Sequence, residues 1–308
     1  MDAALQQGGP APLISYLRAL ALNQDRDGLV SLLGALIDEG RVPQQVSREV
    51  LRELAPSLSS LPVSANAFVD ATCVALLEAL KNRVTGSLEE VDLSLRSLLC
   101  NVCWGINQYA RAGLVLSQAK IDSPSFVMPD GERAKLWLMA VNSYLKCNDY
   151  VPAERCIKRA GEWVSKARGD VEVKLTYTTA WAQLLDYGAV GGGQEQRKKF
   201  LDAAIKYGEV SRVSAAEYDE GELLAMLTSA VRCALLAPVG PARQRIMGVL
   251  SRDERIGAIP VSVCVLGGAP LCNFCPFFFL FFFSPPYFSS YFSPPPTRSP
   301  SPMPCCSR

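Results

Sequence analysis

The chain of 308 residues contains no histidine. That absence removes Ser-His and Cys-His nucleophilic pairs, histidine general bases and every zinc site that uses imidazole. Ser-Lys pairs, carboxylate pairs and all-cysteine metal sites survive the exclusion. Surplus charge is also lacking, because 31 Lys and Arg stand against 30 Asp and Glu. The total therefore carries no basic footprint for nucleic acid, which is not an expected partner. Residues 1–9 are polar and lack the apolar run of a secretory signal. The 11 cysteines are odd in number and scattered mostly over helical faces, so reduced thiols of the cytoplasm or nucleus are the expected state. Before Pro260 no alternation of apolar and polar residues reads as a strand.

What is present is helical periodicity. Ala134, Leu138, Val141 and Leu145 fall at steps of four, three and four, one face of a helix. A polar turn follows at Lys146, Asn148 and Asp149. Tyr150 then enters a second series with Ala153, Ile157, Ala160 and Val164 on one face, and Pro152 sits in its first turn, where a helix accepts proline. Together they predict an αα-hairpin whose small residues Ala153 and Ala160 admit a partner helix. The second helix recurs: Tyr109, Ala112 and Leu116 match Tyr150, Ala153 and Ile157, and Phe200, Ala203 and Tyr207 match again. The spacings, 109 to 150 and 150 to 200, suit stacked hairpins of the tetratricopeptide kind. The longer one accommodates Gly188 to Gln194 as an inserted loop.

Elsewhere in the body, Pro12 opens a helix with Leu13, Leu17 and Leu20 that Asp27-Gly28 breaks. Leu29, Leu32, Leu33 and Leu36 mark a second, closed near Gly40. A third over residues 46–54 ends at Pro56, residues 57–64 connect, and longer helices are predicted over 68–80 and 88–106. Gly86-Ser87 starts the last of these, with Glu89, Glu90 and Asp92 suiting its positive end. Val173, Tyr177, Ala180 and Leu184 share a face, as do Leu223, Leu227, Ala230 and Ala234. Pro238 to Pro241 separates that helix from one carrying Ile246, Val249 and Leu250.

The chain then changes character. Asp and Glu are absent after Glu254, Arg298 and Arg308 are the last two charges, and nine of the 12 phenylalanines lie beyond residue 270. Residues 261–283 are uncharged and long enough to span a bilayer, although Gly267, Gly268, Pro270 and Pro276 interrupt them. A second reading is a disordered low-complexity segment. A third, which the codons favour, is translation of a polypyrimidine tract, because residues 277–296 use only Phe, Leu, Ser, Pro and Tyr.

Chemical motifs are few. Cys100-x-x-Cys103 lies mid-helix between Leu99 and Trp104 and reads as two small core residues rather than a redox or metal pair. Cys272-x-x-Cys275 lies in the tail and is not read as half of a zinc site. Gly191-Gly192-Gly193 lacks the preceding strand and Gly-Lys-Ser/Thr ending of a phosphate loop. Arg243, Arg245, Arg252, Asp253, Glu254 and Arg255 form a dense charge group around one short helix. They read either as a solvated face or as a ridge that clasps carboxylates of a partner.

The run from Arg197 through Phe200 to Tyr207, and that from Ala237 through Gly240, Arg243 and Arg245 to Asp253-Glu254-Arg255, resemble the family of fourth subunits of the COP-9 signalosome. Leu184-Leu185-Asp186-Tyr187 and the stretch from Asp149-Tyr150 to Arg159-Ala160 fit the same family, a branch of the PCI-domain proteins found in signalosome, proteasome lid and translation-initiation complexes. The resemblance implies an all-α fold: a right-handed solenoid of stacked helical hairpins, followed here by a disordered or aberrant tail. It divides the chain into N-terminal repeats over 1–130, repeats leading into an incomplete PCI bundle over 131–260, and the tail over 261–308, without the winged helix that completes the family's PCI domain. It implies a non-catalytic scaffold with no cofactor. The implied partners are the other signalosome subunits and cullin–RING ubiquitin ligases, and the implied location is cytoplasmic and nuclear. A membrane would be a partner only if the tail were a genuine anchor. The alternatives are a proteasome-lid subunit and a tail-anchored adaptor.

Overall fold

The computed structural model describes residues 9–37, 42–81, 88–167, 169–190, 193–213 and 219–259. The chain divides into two compact units, Met1–Ile256 and Gly257–Arg308. Among the described residues the regular structure is entirely helical. The first unit runs α1 (Pro10–Leu22), α2 (Arg26–Ile37), α3 (Gln44–Arg52), α4 (Leu54–Ser59), a 3-10 turn Val63–Ala65, α5 (Asn66–Leu80), α6 (Glu89–Gly105) and α7 (Tyr109–Ser117). It continues with α8 (Asp130–Lys146), α9 (Tyr150–Lys166), α10 (Val171–Ala189), the single turn α11 (Gln194–Arg197), α12 (Lys199–Ser211), α13 (Glu220–Leu236) and α14 (Pro241–Leu250). A 3-10 turn, Glu254–Ala258, follows.

Packing is between neighbours in sequence. α6 lies on α7, α7 on α8, α8 on α9 and α10, α10 on α12, and α12 on α13. This is the arrangement of a helical-repeat array, in which each hairpin buries its apolar face on the next. The three predicted repeat triplets occupy the same place. Ala112, Leu116, Ala153, Ile157 and Ala203 are fully buried and Tyr207 nearly so. One apolar cluster runs from Leu13 to Leu184, built mainly of leucine and alanine.

Three of the turns between helices share one construction. Gln24, Asn107 and Asn148 are left-handed, with φ of 55°, 59° and 59°. Each donates its amide to a carbonyl three residues back, at Ala21, Trp104 and Leu145, and the next amide reaches five back, to Leu20, Cys103 and Tyr144. That is the Schellman closure, which satisfies carbonyls left free at a helix end. In two turns the entering tyrosine locks the device: Tyr109 donates its hydroxyl to Asn107 Oδ1 at 2.7 Å, and Tyr150 donates to Asn148 Oδ1 at 3.0 Å. Phe200, without a hydroxyl, is entered through α11 and Lys198 instead.

Several boundaries differ from the sequence expectations. The first helix starts at Pro10 rather than Pro12. Asp27-Gly28 does not break it: the break is at residues 23–25, and Asp25 Oδ1 accepts from the Gly28 amide at 2.9 Å, capping α2. Pro56 does not end a helix but lies in the first turn of α4, where its missing N–H has no intrahelical partner to lose. Residues 57–59, expected as connector, are therefore helical. The expected loop from Gly188 is shorter, because α10 continues through Ala189 and α11 occupies Gln194–Arg197. The expected stop at Gly40, the expected start at Gly86-Ser87, and every reading of residues 261–308 lie outside the described residues.

Candidate partner-binding surface

The six charged residues singled out near the end of the array separate into two groups. Arg255 is folded into the structure: its Nε and Nη2 meet Asp253 Oδ1 and Oδ2 at 2.9 and 2.7 Å, and Nη2 also donates to the Ser211 carbonyl at 2.9 Å. Asp253 additionally accepts from the Arg255 amide at 3.1 Å. The Arg255 guanidinium holds the Asp253 carboxyl below its ordinary range. Arg243 donates to the Ala237 carbonyl at 3.3 Å, closing the end of α13. These three residues tie α14 and the 3-10 turn to α12 and α13. Arg245, Arg252 and Glu254 are exposed.

Arg245 stands on a feature that sequence reading missed. α12 and α14 flank a cavity of about 240 Å³ whose lining includes Ile205, Gly208, Glu209, Arg212, Arg245 and Val249. Its floor is apolar and its rim carries two arginines and one glutamate. Ile205 and Val249 are 45% and 49% exposed. The sequence sets Val249 inside its helix with Ile246 and Leu250, but of the three only Leu250 is buried; Val249 turns to the surface opposite Ile205, and isolated surface apolar residues are ordinary. A shallower hollow of about 340 Å³ lies beside the Asn107 turn, against Tyr109, Arg111 and Cys147.

Beneath this surface the array is cross-braced by charge. Asp186 on α10 is buried and pairs with Arg232 on α13. Arg111 on α7 pairs with Asp70 on α5 at 2.9 Å.

Five of the six cysteines among the described residues are core residues, and the sixth, Cys147, is half-buried. Cys73, Cys100, Cys103 and Cys233 are fully buried and Cys156 almost so. Burial pushes the Cys73 and Cys100 thiols up to about 12 and Cys156 to about 11, and it raises Cys103 and Cys233 as well. A thiol so placed is protonated at neutral pH and is neither nucleophile nor metal ligand. Cys100 and Cys103 thus sit where the sequence placed them, while Cys272 and Cys275 lie outside the described residues. Among the described residues no group of three or more His, Cys, Asp or Glu is arranged to hold a metal ion.

No protein-family model matches the chain. Curated relatives do. It is 34% identical to COP9 signalosome complex subunit 4 of Emericella nidulans over 175 residues, 57% of this chain and 40% of that protein. It is 30% identical to the Arabidopsis thaliana subunit 4 over 226 residues, 71% of this chain and 53% of that protein. The Drosophila melanogaster subunit 4 is 29% identical over 234 residues, 76% of this chain and 53% of that protein. The chain spans about half the length of the curated relatives it matches. Over the aligned residues the chain is similar to COP9 signalosome complex subunit 4 of all three organisms.

Proposed function

We propose that this chain serves as a scaffold subunit of the COP9 signalosome rather than as an enzyme. It holds other subunits of an assembly that removes the ubiquitin-like modifier from cullins and so regulates cullin–RING ubiquitin ligases in the cytoplasm and nucleus. The observation that carries this reading is the similarity to the subunit 4 proteins, which extends over most of the chain. The fold supports it, since stacked hairpins offer long ridges and shallow grooves suited to gripping other proteins. The exposed charges Arg245, which lines the cavity between α12 and α14, and Arg252 and Glu254, which follow α14 in the chain, are the contacts we assign to a partner subunit. Arg243, Asp253 and Arg255 hold that ridge in shape.

The test is co-purification of the tagged full chain from its source cells, with quantitative identification of what accompanies it. The expected result is enrichment of signalosome subunits. Enrichment of proteasome-lid subunits instead, or of neither set, overturns the proposal. Reversing charge at Arg245 and Arg252 should lower recovery of the signalosome subunits about tenfold, the effect of losing about 1.4 kcal/mol of binding, with the helical spectrum unchanged.

A further inference from the structure

The segment between α7 and α8, residues 118–129, is fastened to the array at three points. Glu89, at the start of α6, is buried, and its carboxylate accepts from the Lys120 ammonium at 2.8 Å and from the Ser123 hydroxyl. Asp122 Oδ1 accepts from the indole N–H groups of Trp137 at 2.9 Å and Trp163 at 2.6 Å, while Oδ2 accepts from Arg159 at 3.3 Å. Arg133, only 7% exposed, donates to the Ile121 and Phe126 carbonyls, and its guanidinium lies 5.5 Å from the Phe126 ring and 4.8 Å from the Trp163 ring. The segment has no regular structure of its own; these polar contacts order it together with Ala119 and Ile121, which are buried in the apolar core.

Ser123 is followed by Pro124, and this is the sole Ser-Pro or Thr-Pro step among the described residues. Serine before proline is the dipeptide that proline-directed protein kinases read. Pro124 and Ser125 beside it are exposed. The acceptor hydroxyl is the same one that donates to Glu89. As a phosphate ester that oxygen has no proton to donate, and it carries up to two negative charges and three further acceptor oxygens. Glu89 and Lys120 are balanced as they stand. The added dianion would face the Glu89 carboxylate with one ammonium between them, next in sequence to the carboxylate of Asp122. Like charge placed against a carboxylate disrupts a docked segment.

We propose that Ser123 is a phosphoacceptor, and that phosphate on it releases residues 118–129 and uncovers the indole edges of Trp137 and Trp163 on the α8–α9 hairpin. The phosphoryl donor is ATP, delivered by a proline-directed kinase. The Ser123 Oγ–P bond forms as the bridge between β- and γ-phosphorus breaks, ADP leaves, and the hydroxyl proton passes to the kinase's catalytic base. The proposal stands independently of the signalosome reading, because its readouts concern the chain alone.

The experiment treats the folded full chain with a proline-directed kinase and Mg-ATP, maps phosphate by mass spectrometry, and follows tryptophan emission and thermolysin cleavage within residues 118–129. The expected result is phosphate on Ser123, a red shift of emission, and cleavage faster by roughly tenfold, since cleavage tracks the population of the open segment. S123A should show neither change. In E89Q the acceleration relative to its own unphosphorylated state should shrink, because the repelling carboxylate is gone. Absence of phosphate on Ser123 overturns the proposal, as does phosphate on Ser123 with emission and cleavage unchanged.

Discussion

The close approach of α7 to α8 can be measured by one pair of substitutions that are chemically identical and should act in opposite directions. Gly113 is buried on α7, and a Cβ built there lies 3.0 Å from Cε1 and from Cζ of Tyr144 and 3.1 Å from its Cδ1. Tyr144 cannot withdraw: it is 6% exposed and its hydroxyl is 2.9 Å from Ser117 Oγ. Gly34 on α2 has nothing within 4 Å of the corresponding position. In an unhindered helix interior, Gly→Ala stabilises by about 1 kcal/mol. Gly34→Ala should therefore raise stability by about that amount. At position 113 the same gain is set against overpacking of a rigid core, which costs about 1–3 kcal/mol. Because the contact is with ring atoms held from both sides, the upper part of that range applies, and Gly113→Ala should be destabilising by about 1–2 kcal/mol. For a body of this size, 1 kcal/mol moves the melting temperature by about 2–4 °C. Circular dichroism melts and urea titrations of the two full-length variants check both signs. If Gly113→Ala is as stabilising as Gly34→Ala, the helices do not approach as described and the role assigned to small residues in this array is wrong.

Arg255→Ala should destabilise the end of the array by about 1–3 kcal/mol by removing the guanidinium donor to the Ser211 carbonyl and Asp253, whereas Arg252→Ala, at an exposed site, should change the urea midpoint little. A loss in the second variant equal to that in the first would place Arg252 inside the fold. Native-state maleimide labelling should leave Cys73, Cys100, Cys103, Cys156 and Cys233 unmodified, with all five reacting in urea. Rapid native labelling of Cys100 would refute its burial. Glu89, hydrogen-bonded by Lys120 and Ser123, is held at about 2 against an ordinary 4.5. Its contribution to stability is thus fully present above about 4.5 and lost as the pH falls through about 2. Urea midpoints across that interval should fall more steeply in the parent chain than in Glu89→Gln.

The parts of this fold that were readable in the sequence are those held by local contacts. The α8–α9 hairpin could be placed almost residue by residue because each determinant lies within about five residues of what it acts on: the 3.6-residue period, Asn148 in the left-handed turn, and Pro152 in the first turn of α9. The break after α1 was misplaced for the same reason inverted. Gln24 occupies the left-handed position with neither glycine nor asparagine to announce it, so Gly28 drew the break toward itself. Gly28 is instead the residue whose amide meets the Asp25 cap, and a Cβ there would lie 2.5 Å from Asp25 Oδ2 and 2.8 Å from Leu20 Cδ2.

The charged ridge obeys the other rule. Nothing in residues 243–255 distinguishes Arg255 from Arg252, because what separates them is the Ser211 carbonyl, 44 residues earlier. The same holds for residues 118–129, where Ser123 meets Glu89 across 34 residues and Asp122 meets Trp163 across 41. Both are polar contacts made between helices that the apolar pattern has already stacked. Hydrophobic periodicity therefore fixes which hairpins adjoin, while the polar partners decide which exposed charges remain free to meet another protein. In a neighbour-on-neighbour array those partners come from adjacent hairpins. A charged surface read from one helix is thus incomplete until the previous hairpin has been laid beneath it. At the end of this array that step leaves Arg245, Arg252 and Glu254 exposed from a group of six.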